Sequence, residues 1–291
     1  MSKAQVPESI ILKLKIDLTT YQITKEIKTN KPYSYLTLLD NGDVLLTYSR
    51  DGTSLKQIVD KYNFKKNKIS SFIKTHDYYP SVVIPYEKNY FVLLGAHHSG
   101  DLILELYNNE GTYKKSFLLS KHAMCIYGSE MLINSKKIVL FFLKEFDQKE
   151  NDSFPKLISF NLETHEIRDV SSHFKKQLSS IDAVSLDFVK NKLFISPLTK
   201  GRPSGDLNEK PKRNKDVYIY SYPDFKLLNK IPTVNQPGYL VSFSKYNKLY
   251  VSHGLSVSVI DSHTETLLET LPFYAKRIEK VADDKLMIWH Y

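Results

Sequence analysis

Apolar and polar residues alternate along most of this chain in short runs that end in Asn, Asp, Ser, Gly or Pro. A period of two places successive side chains on opposite faces of a strand, so the pattern predicts β-strands joined by tight turns. One unit of the pattern recurs. "IDSHTETLLETLPF", from Ile260, is a strand end, a polar turn and a second short strand. Counterparts are "IDLTTYQITKEIKT" from Ile16, "YNFKKNKISSFIKT" from Tyr62, "YNNEGTYKKSFLLS" from Tyr107, "FNLETHEIRDVSSH" from Phe160 and "YSYPDFKLLNKIPT" from Tyr220. Their starts lie 46, 45, 53, 60 and 40 residues apart, and 47 residues separate the last from the first when the chain ends are joined.

A second element precedes each of these. "NKLYV" at Asn247 is matched by "NKLFI" at Asn191, "DKLMI" at Asp284, "KKIVL" at Lys136, "GDVLL" at Gly42 and "KNYFV" at Lys88. Each is a polar turn entering a strongly apolar strand, the pattern of a strand buried on both faces. Further short strands lie before them, such as "YLVSFS" at Tyr239, "AVSLDFV" at Ala183 and "YLTLLD" at Tyr35. Four short antiparallel strands in a unit of about 45 residues are the signature of a β-propeller. The chain opens with only a third and fourth strand, Ile10 to Lys28, and closes with only a first and second, Arg277 to Tyr291. The expectation is therefore an all-β, single-domain propeller spanning residues 1–291, with six four-stranded blades. N-terminal strands would pair with C-terminal strands and leave no open edge, so a monomer is expected. Seven blades is the alternative count. A pair of β-sandwiches would explain neither the interval nor the split unit.

The stretch "NKLYVSHGLSVSVIDSHTETLLETLPF" resembles the YVTN-type repeat, with Leu249, Tyr250, Val251, Val257, Val259, Ile260 and Asp261 at the matching positions. The match covers this one unit and fades in the others. The resemblance implies a propeller of the broad YVTN and quinoprotein-like group, which contains binding proteins and some enzymes. It carries a fold and no catalytic residues.

Composition narrows the setting. The longest apolar run, Ile138 to Leu143, is far shorter than the roughly 20 residues that cross a bilayer, so no membrane association is expected. The opening residues lack the apolar core and small-residue cleavage site of a leader, and a single cysteine, Cys125, precludes an internal disulfide. A cytoplasmic protein is the simplest reading, and a secreted chain that has lost its leader is the alternative. Net charge is +9, from 41 basic and 32 acidic residues. That balance attracts polyanions, nucleic acid included, but the cations are spread along the chain rather than clustered, which favours a solubilising role.

Loops at the channel mouth are where a propeller carries a site. The connections from second to third strand are "SRDGTS" from Ser49, "HHSG" from His97, the long segments 144–155 and 199–215, and "HGL" from His253. They bring Arg50, His97, His98, His253 and His290 to the mouth as candidate ligand-binding groups, although no carboxylate or cysteine recurs beside them at metal-ligand spacing. Connections between blades add aromatic residues, namely Tyr33, Tyr35, Tyr78, Tyr79, Phe174, Tyr239 and Tyr274, suited to a sugar, a base or a peptide side chain. In the longer loop Lys200, Arg202, Lys212 and Arg213 form a candidate docking arm for an acidic partner. The chain contains no nucleophile elbow, P-loop, H-E-x-x-H or dinucleotide fingerprint, and no cofactor is expected. The first reading is a non-catalytic propeller that binds a protein or small ligand. The alternative is a propeller enzyme, hydrolase or lyase, working through the polar groups at the mouth.

Overall fold

The computed structural model describes residues 10–17, 23–29, 33–39, 41–48, 58–63, 66–75, 78–86, 89–97, 100–121, 123–125, 132–133, 138–145, 156–174, 178, 181, 183–187, 189–197, 215–275, 277–282 and 285–290. Among these residues the strands pair into six antiparallel sheets. Sheet I is Tyr33–Leu38, Val44–Tyr48, Ile58–Asn63 and Lys68–Lys74. Sheet II is Tyr78–Tyr86, Tyr90–His97, Leu102–Asn108 and Tyr113–Ser120. Sheet III is Ile138–Glu145, Lys156–Asn161 and Ile167–Asp169, with Ala123–Cys125 and Leu132–Ile133 both paired to Ile138–Glu145 in place of one first strand. Sheet IV is Ala183–Asp187, Lys192–Ser196, Asp216–Ser221 and Leu227–Pro232. Sheet V is Leu240–Phe243, Lys248–Ser252, Val257–Asp261 and Thr266–Leu271. Sheet VI joins the two ends of the chain. Arg277–Ala282 and Lys285–His290 are continued by Ile10–Asp17 and Ile23–Thr29, with Leu12 opposite Trp289 and Lys13 opposite Ile288.

The inner strands are buried and the fourth strands are not: Val44–Tyr48, Ala183–Asp187 and Leu240–Phe243 are buried at every position, whereas Thr266–Leu271 is buried only at Leu271. Strands that are apolar on both faces belong between packed layers, and strands with one polar face belong at the rim. Neighbouring sheets share cores. Phe91, Leu93 and Tyr107 of sheet II pack with Leu45, Val59 and Ile73 of sheet I, and Leu104 and Leu106 of sheet II pack with Ile158 and Phe160 of sheet III. Leu157 of sheet III joins Leu193, Ile195 and Tyr220 of sheet IV, while Phe194 and Ile219 of sheet IV meet Leu249 and Val251 of sheet V. Val241 and Tyr250 of sheet V pack with Ile278, Leu286 and Ile288 of sheet VI, and Arg277–Ala282 lies against Tyr33–Leu38 of sheet I. At about 2 kcal/mol for each large side chain removed from water, these faces hold the sheets together. The result is an all-β chain in a propeller arrangement.

Residues 170–174 depart from the simple hairpin pattern. Between sheets III and IV they form a short 3-10 turn, Ser171–His173, and then drive Phe174 into the core, with its ring 4.9 Å from Tyr220 and 5.5 Å from Phe225. Phe174 is fully buried, and so is Tyr33. These two aromatics, expected to line the mouth, are instead buried, Phe174 among apolar rings and Tyr33 with its hydroxyl donating to the buried Asp60 carboxylate. Among the described residues no helix is long and apolar enough to cross a membrane.

Candidate functional site

Antiparallel connectivity sends the connections of each sheet to two opposite ends. First-to-second and third-to-fourth connections share one end, and second-to-third and inter-sheet connections share the other. The two ends differ in length. On the short-turn face, four residues separate Asn63 from Lys68 and Asp261 from Thr266, and five separate Asn161 from Ile167. On the long-loop face, nine separate Tyr48 from Ile58, ten separate Glu145 from Lys156 and nineteen separate Ser196 from Asp216.

The short turns repeat one piece of chemistry. The residue after the third strand's last apolar position accepts hydrogen bonds from the turn. Asn161 Oδ1 accepts from the Glu163 and Thr164 amides at 2.8 and 3.1 Å, and Asp261 Oδ1 from those of His263 and Thr264 at 2.7 and 2.8 Å. Asn63, Asn108 and the Ser221 hydroxyl do the same for Lys66, Thr112 and Lys226. Four residues after the accepting side chain the backbone turns left-handed, at Asn67, His165, Phe225 and Glu265, whose φ values are 48°, 61°, 53° and 61°. Three of these four are not the Asn or Gly that the conformation prefers, and each costs on the order of 1 kcal/mol, which the turn hydrogen bonds offset. Between sheets IV and V the same face is clamped by charge. Lys190 donates to the Ser262 hydroxyl at 2.9 Å, and Lys192 meets Glu265 at 2.6 Å. Among the described residues of this face, the turns are short and several of their side chains hydrogen-bond within a turn or to the next sheet.

The long-loop end of the sheets holds those residues singled out in the sequence that the structure describes. Tyr78 and His97 are directly opposite each other where sheet II ends, and Tyr79, half-buried, is opposite Ala96. His290 ends Lys285–His290 and pairs with Ile11. His253 follows Lys248–Ser252. Tyr78, Tyr79, His97, His253 and His290 thus all lie at this end of their sheets, and Tyr78 and His97 share one. Arg50, His98 and the loop cations Lys200, Arg202, Lys212 and Arg213 lie outside the described residues, as do most of segments 144–155 and 199–215.

His253 is held on both sides of its ring. Nδ1 lies 3.1 Å from the Gln236 carbonyl, which can only accept, so Nδ1 carries the proton. Nε2 then accepts from the Ser258 hydroxyl at 2.8 Å. The imidazole ties the connection entering sheet V to the strands it joins. Burial lowers its pKa below the ordinary value, with the Gln236 hydrogen bond pulling the other way. The folded chain therefore keeps the ring neutral where the unfolded chain begins to take up a proton. The stability it contributes is present above the unfolded-state pKa of about 6.5 and is lost as pH falls towards the lower folded-state value. Melting temperature is expected to drop between about pH 7.5 and about pH 5.5, and to drop less in His253→Gln. An equal drop in both proteins would show that this ring is not responsible.

Neighbouring bonds make one unit of the three connections around sheet V. The Ala275 amide donates to Gly254 O at 2.7 Å, the Gly238 amide to Ser252 O at 2.8 Å and the Tyr239 amide to Ser252 Oγ at 2.9 Å. The Thr233 amide donates to Lys215 O at 2.7 Å, fixing the end of the basic loop to the same unit.

A feature the sequence did not signal sits at the same end of sheet I. Tyr33 and Tyr48 both donate to Asp60 Oδ2, at 2.6 and 2.5 Å, and all three residues are buried. Burial and the neighbouring carboxylate push the Tyr33 phenol far above its usual range, so it remains a proton donor at any working pH. Asp60 is 27 residues from Tyr33 in sequence, a pairing that no local motif encodes. A cleft of about 730 Å³, lined by Arg168, Asp169, His173, Asp224, Phe225 and Lys226, opens in the seam between sheets III and IV rather than over the sheet centres. Arg168 is already paired there with Glu166 at 2.7 Å. Among the described residues no three of His, Cys, Asp and Glu are grouped to hold a metal ion.

No family model matches the chain, and no curated protein matches it in sequence. Solved structures do. A hydrazine synthase chain from Kuenenia stuttgartiensis superposes with a TM-score of 0.64 at 12% identity, over 97% of this chain and 92% of that one. A chain of a nidogen/laminin complex gives 0.59 at 9% identity, over 90% and 93%. The Dos1 propeller gives 0.52 at 12% identity, over 95% and 67%. At such identities the likeness is one of fold. Together with the sheet arrangement it establishes that the chain is a β-propeller.

Proposed function

We propose that this chain is a six-bladed propeller, closed by its two ends, that binds a protein partner through its long-loop face and catalyses no reaction. The observation that carries the functional reading is the difference between the two faces. One is built from short turns, several of them held by their own side-chain hydrogen bonds. The other bears connections of nine, ten and nineteen residues that the fold does not need. Six sheets, the pairing of Ile10–Asp17 with Lys285–His290, and the contact of Arg277–Ala282 with Tyr33–Leu38 support the blade count and the closure. One of the similar propellers comes from a nidogen/laminin complex, an assembly of proteins. The enzyme alternative loses a candidate group, since both ring nitrogens of His253 are occupied structurally.

The test is affinity capture with the tagged protein, quantified by mass spectrometry. Replacing residues 200–214 with a short Gly-Ser turn is expected to reduce recovery of the partner about tenfold or more. A short-turn-face variant, Glu163→Lys with His263→Glu, is expected to leave recovery unchanged. Equal recovery with both variants would place binding elsewhere.

A further inference from the structure

The turn between Ala183–Asp187 and Lys192–Ser196 sets Lys190 in the seam between sheets IV and V. Asp187 Oδ1 accepts from the Val189 and Lys190 amides, both at 3.1 Å, and Asn191 turns the backbone left-handed at φ 52°. Held in this way, the Lys190 side chain crosses to sheet V, where Nζ donates to the Ser262 hydroxyl at 2.9 Å. Lys192 reaches the same residue. Its Nζ donates to Ser262 O at 3.1 Å and to Glu265 Oε1 at 2.6 Å. Two ammonium groups therefore converge on one serine, and only that of Lys192 has a carboxylate. Among the described residues, no carboxylate oxygen lies within ion-pair distance of Lys190 Nζ. The nearby acids are engaged elsewhere. Asp261 Oδ1 accepts the turn amides of His263 and Thr264, and Glu265 holds Lys192 with one oxygen and Asn229 with the other, at 2.6 Å.

An ordinary lysine is a poor nucleophile near neutral pH, because with a pKa of about 10.4 its amine is almost wholly protonated. Withdrawing the amine from water without a counter-charge, or setting it beside a second cation, frees the lone pair. Lys190 meets both conditions. Burial lowers its pKa below the ordinary value; Asp187 and Asp261 oppose that shift, and Lys192 adds to it. The amine is half-buried rather than sealed, since Val189 and Asn191 on either side are exposed. Asp187, Asp261 and Glu265 disfavour an electrophile that carries its own phosphate at the reacting carbonyl, which leaves a thioester as the acyl donor. From the convergence of Lys190 and Lys192 on Ser262, we propose that Lys190 is a site of acylation by an acyl thioester. Neutral Nζ attacks the thioester carbonyl carbon, the C–N bond forms and the C–S bond breaks. The thiolate leaves and takes up, through water, the proton that the amine gives up. An amide and a free thiol result, with no change of oxidation state. The Lys192–Glu265 pair still spans the seam after Lys190 loses its charge, so sheets IV and V stay clamped. The modification belongs to the short-turn face and is independent of the binding proposed for the other.

The experiment exposes the purified chain to S-acetyl-N-acetylcysteamine at about pH 8 and follows acetylation of each lysine-containing peptide by mass spectrometry. Lys190 is expected to react about threefold or more faster than the exposed Lys66 and Lys226. In urea that preference should vanish, because the seam no longer exists. Lys192→Gln removes the second cation and frees Glu265 for Lys190, so labelling of Lys190 is expected to slow about threefold or more. Lys192→Arg keeps both the cation and the pair, and is expected to react as the wild type does. Melting curves of the two variants separate a change in reactivity from a loss of folding. Equal rates at Lys190, Lys66 and Lys226 overturn the proposal. So does a preference that survives urea, a rate that Lys192→Gln leaves unchanged, or equal slowing in Lys192→Gln and Lys192→Arg.

Discussion

A chain that begins at residue 30 is expected to lose cooperative folding altogether. Removing residues 1–29 takes away Ile10–Asp17, which pairs with Lys285–His290, and Ile23–Thr29, which pairs with Ile10–Asp17, together half of sheet VI. Lys285–His290 then becomes a bare edge, although Leu286 and Ile288 sit in the core shared with sheet V. Net stability of a domain is only about 5–15 kcal/mol, and a missing pair of strands costs more than that in lost hydrogen bonding and packing. The truncated chain should show no sharp urea transition and should aggregate, and a peptide of residues 1–29 added in trans should restore the transition. A truncated chain that melts at the wild-type midpoint would mean that the ends do not complete a blade.

The largest effect of a single substitution is expected at Gly95, in the interior of Tyr90–His97. A Cβ there would lie 2.0 Å from Tyr79 O, 2.8 Å from Tyr79 C and 2.9 Å from the Pro80 Cα. All three are backbone atoms, and the register between these strands shifts just beyond Pro80. Glycine in a strand interior is costly, and here it is required because the partner backbone approaches where a side chain would be. Leu93, Leu94 and Ala96 around it are buried, so the strands have nowhere to move. Gly95→Ala should destabilise by about 3 kcal/mol or more, lowering the melting temperature by about 6 °C or more. Gly42→Ala is the control. Its φ is +85° with nothing within 4 Å, so it should cost only about 1 kcal/mol of backbone strain. Similar losses at the two glycines would rule out the close approach at Gly95.

The architecture was legible where it rests on local chemistry. The polar turns read after the third strands are found at Asn161–His165 and Asp261–Glu265, where Asn161 and Asp261 accept the turn amides, whereas the left-handed backbone at His165 and Glu265 has no sequence signal. The strands at the two ends of the chain read as halves of one unit, and their pairing is found at Leu12 and Trp289. Non-local features were hidden. Nothing near Asp60 in sequence announces that Tyr33 and Tyr48 will share its carboxylate. Nor does "HGL" reveal that His253 will span from Gln236 to Ser258. Sequence position does not distinguish Phe174, drawn into the core, from Tyr274, left exposed. What separates them is non-local packing, since Phe174 meets Tyr220 and Phe225 only once the sheets are assembled.

The most direct test of the central claim, binding through the long-loop face, is hydrogen–deuterium exchange of the protein alone and in complex with its captured partner. Protection is expected in residues 49–57, 146–155, 198–214, 253–256 and 273–275, and not in the turns 63–67, 161–165 and 261–265. Protection confined to those turns, with the long connections exchanging as in the free protein, would contradict the account.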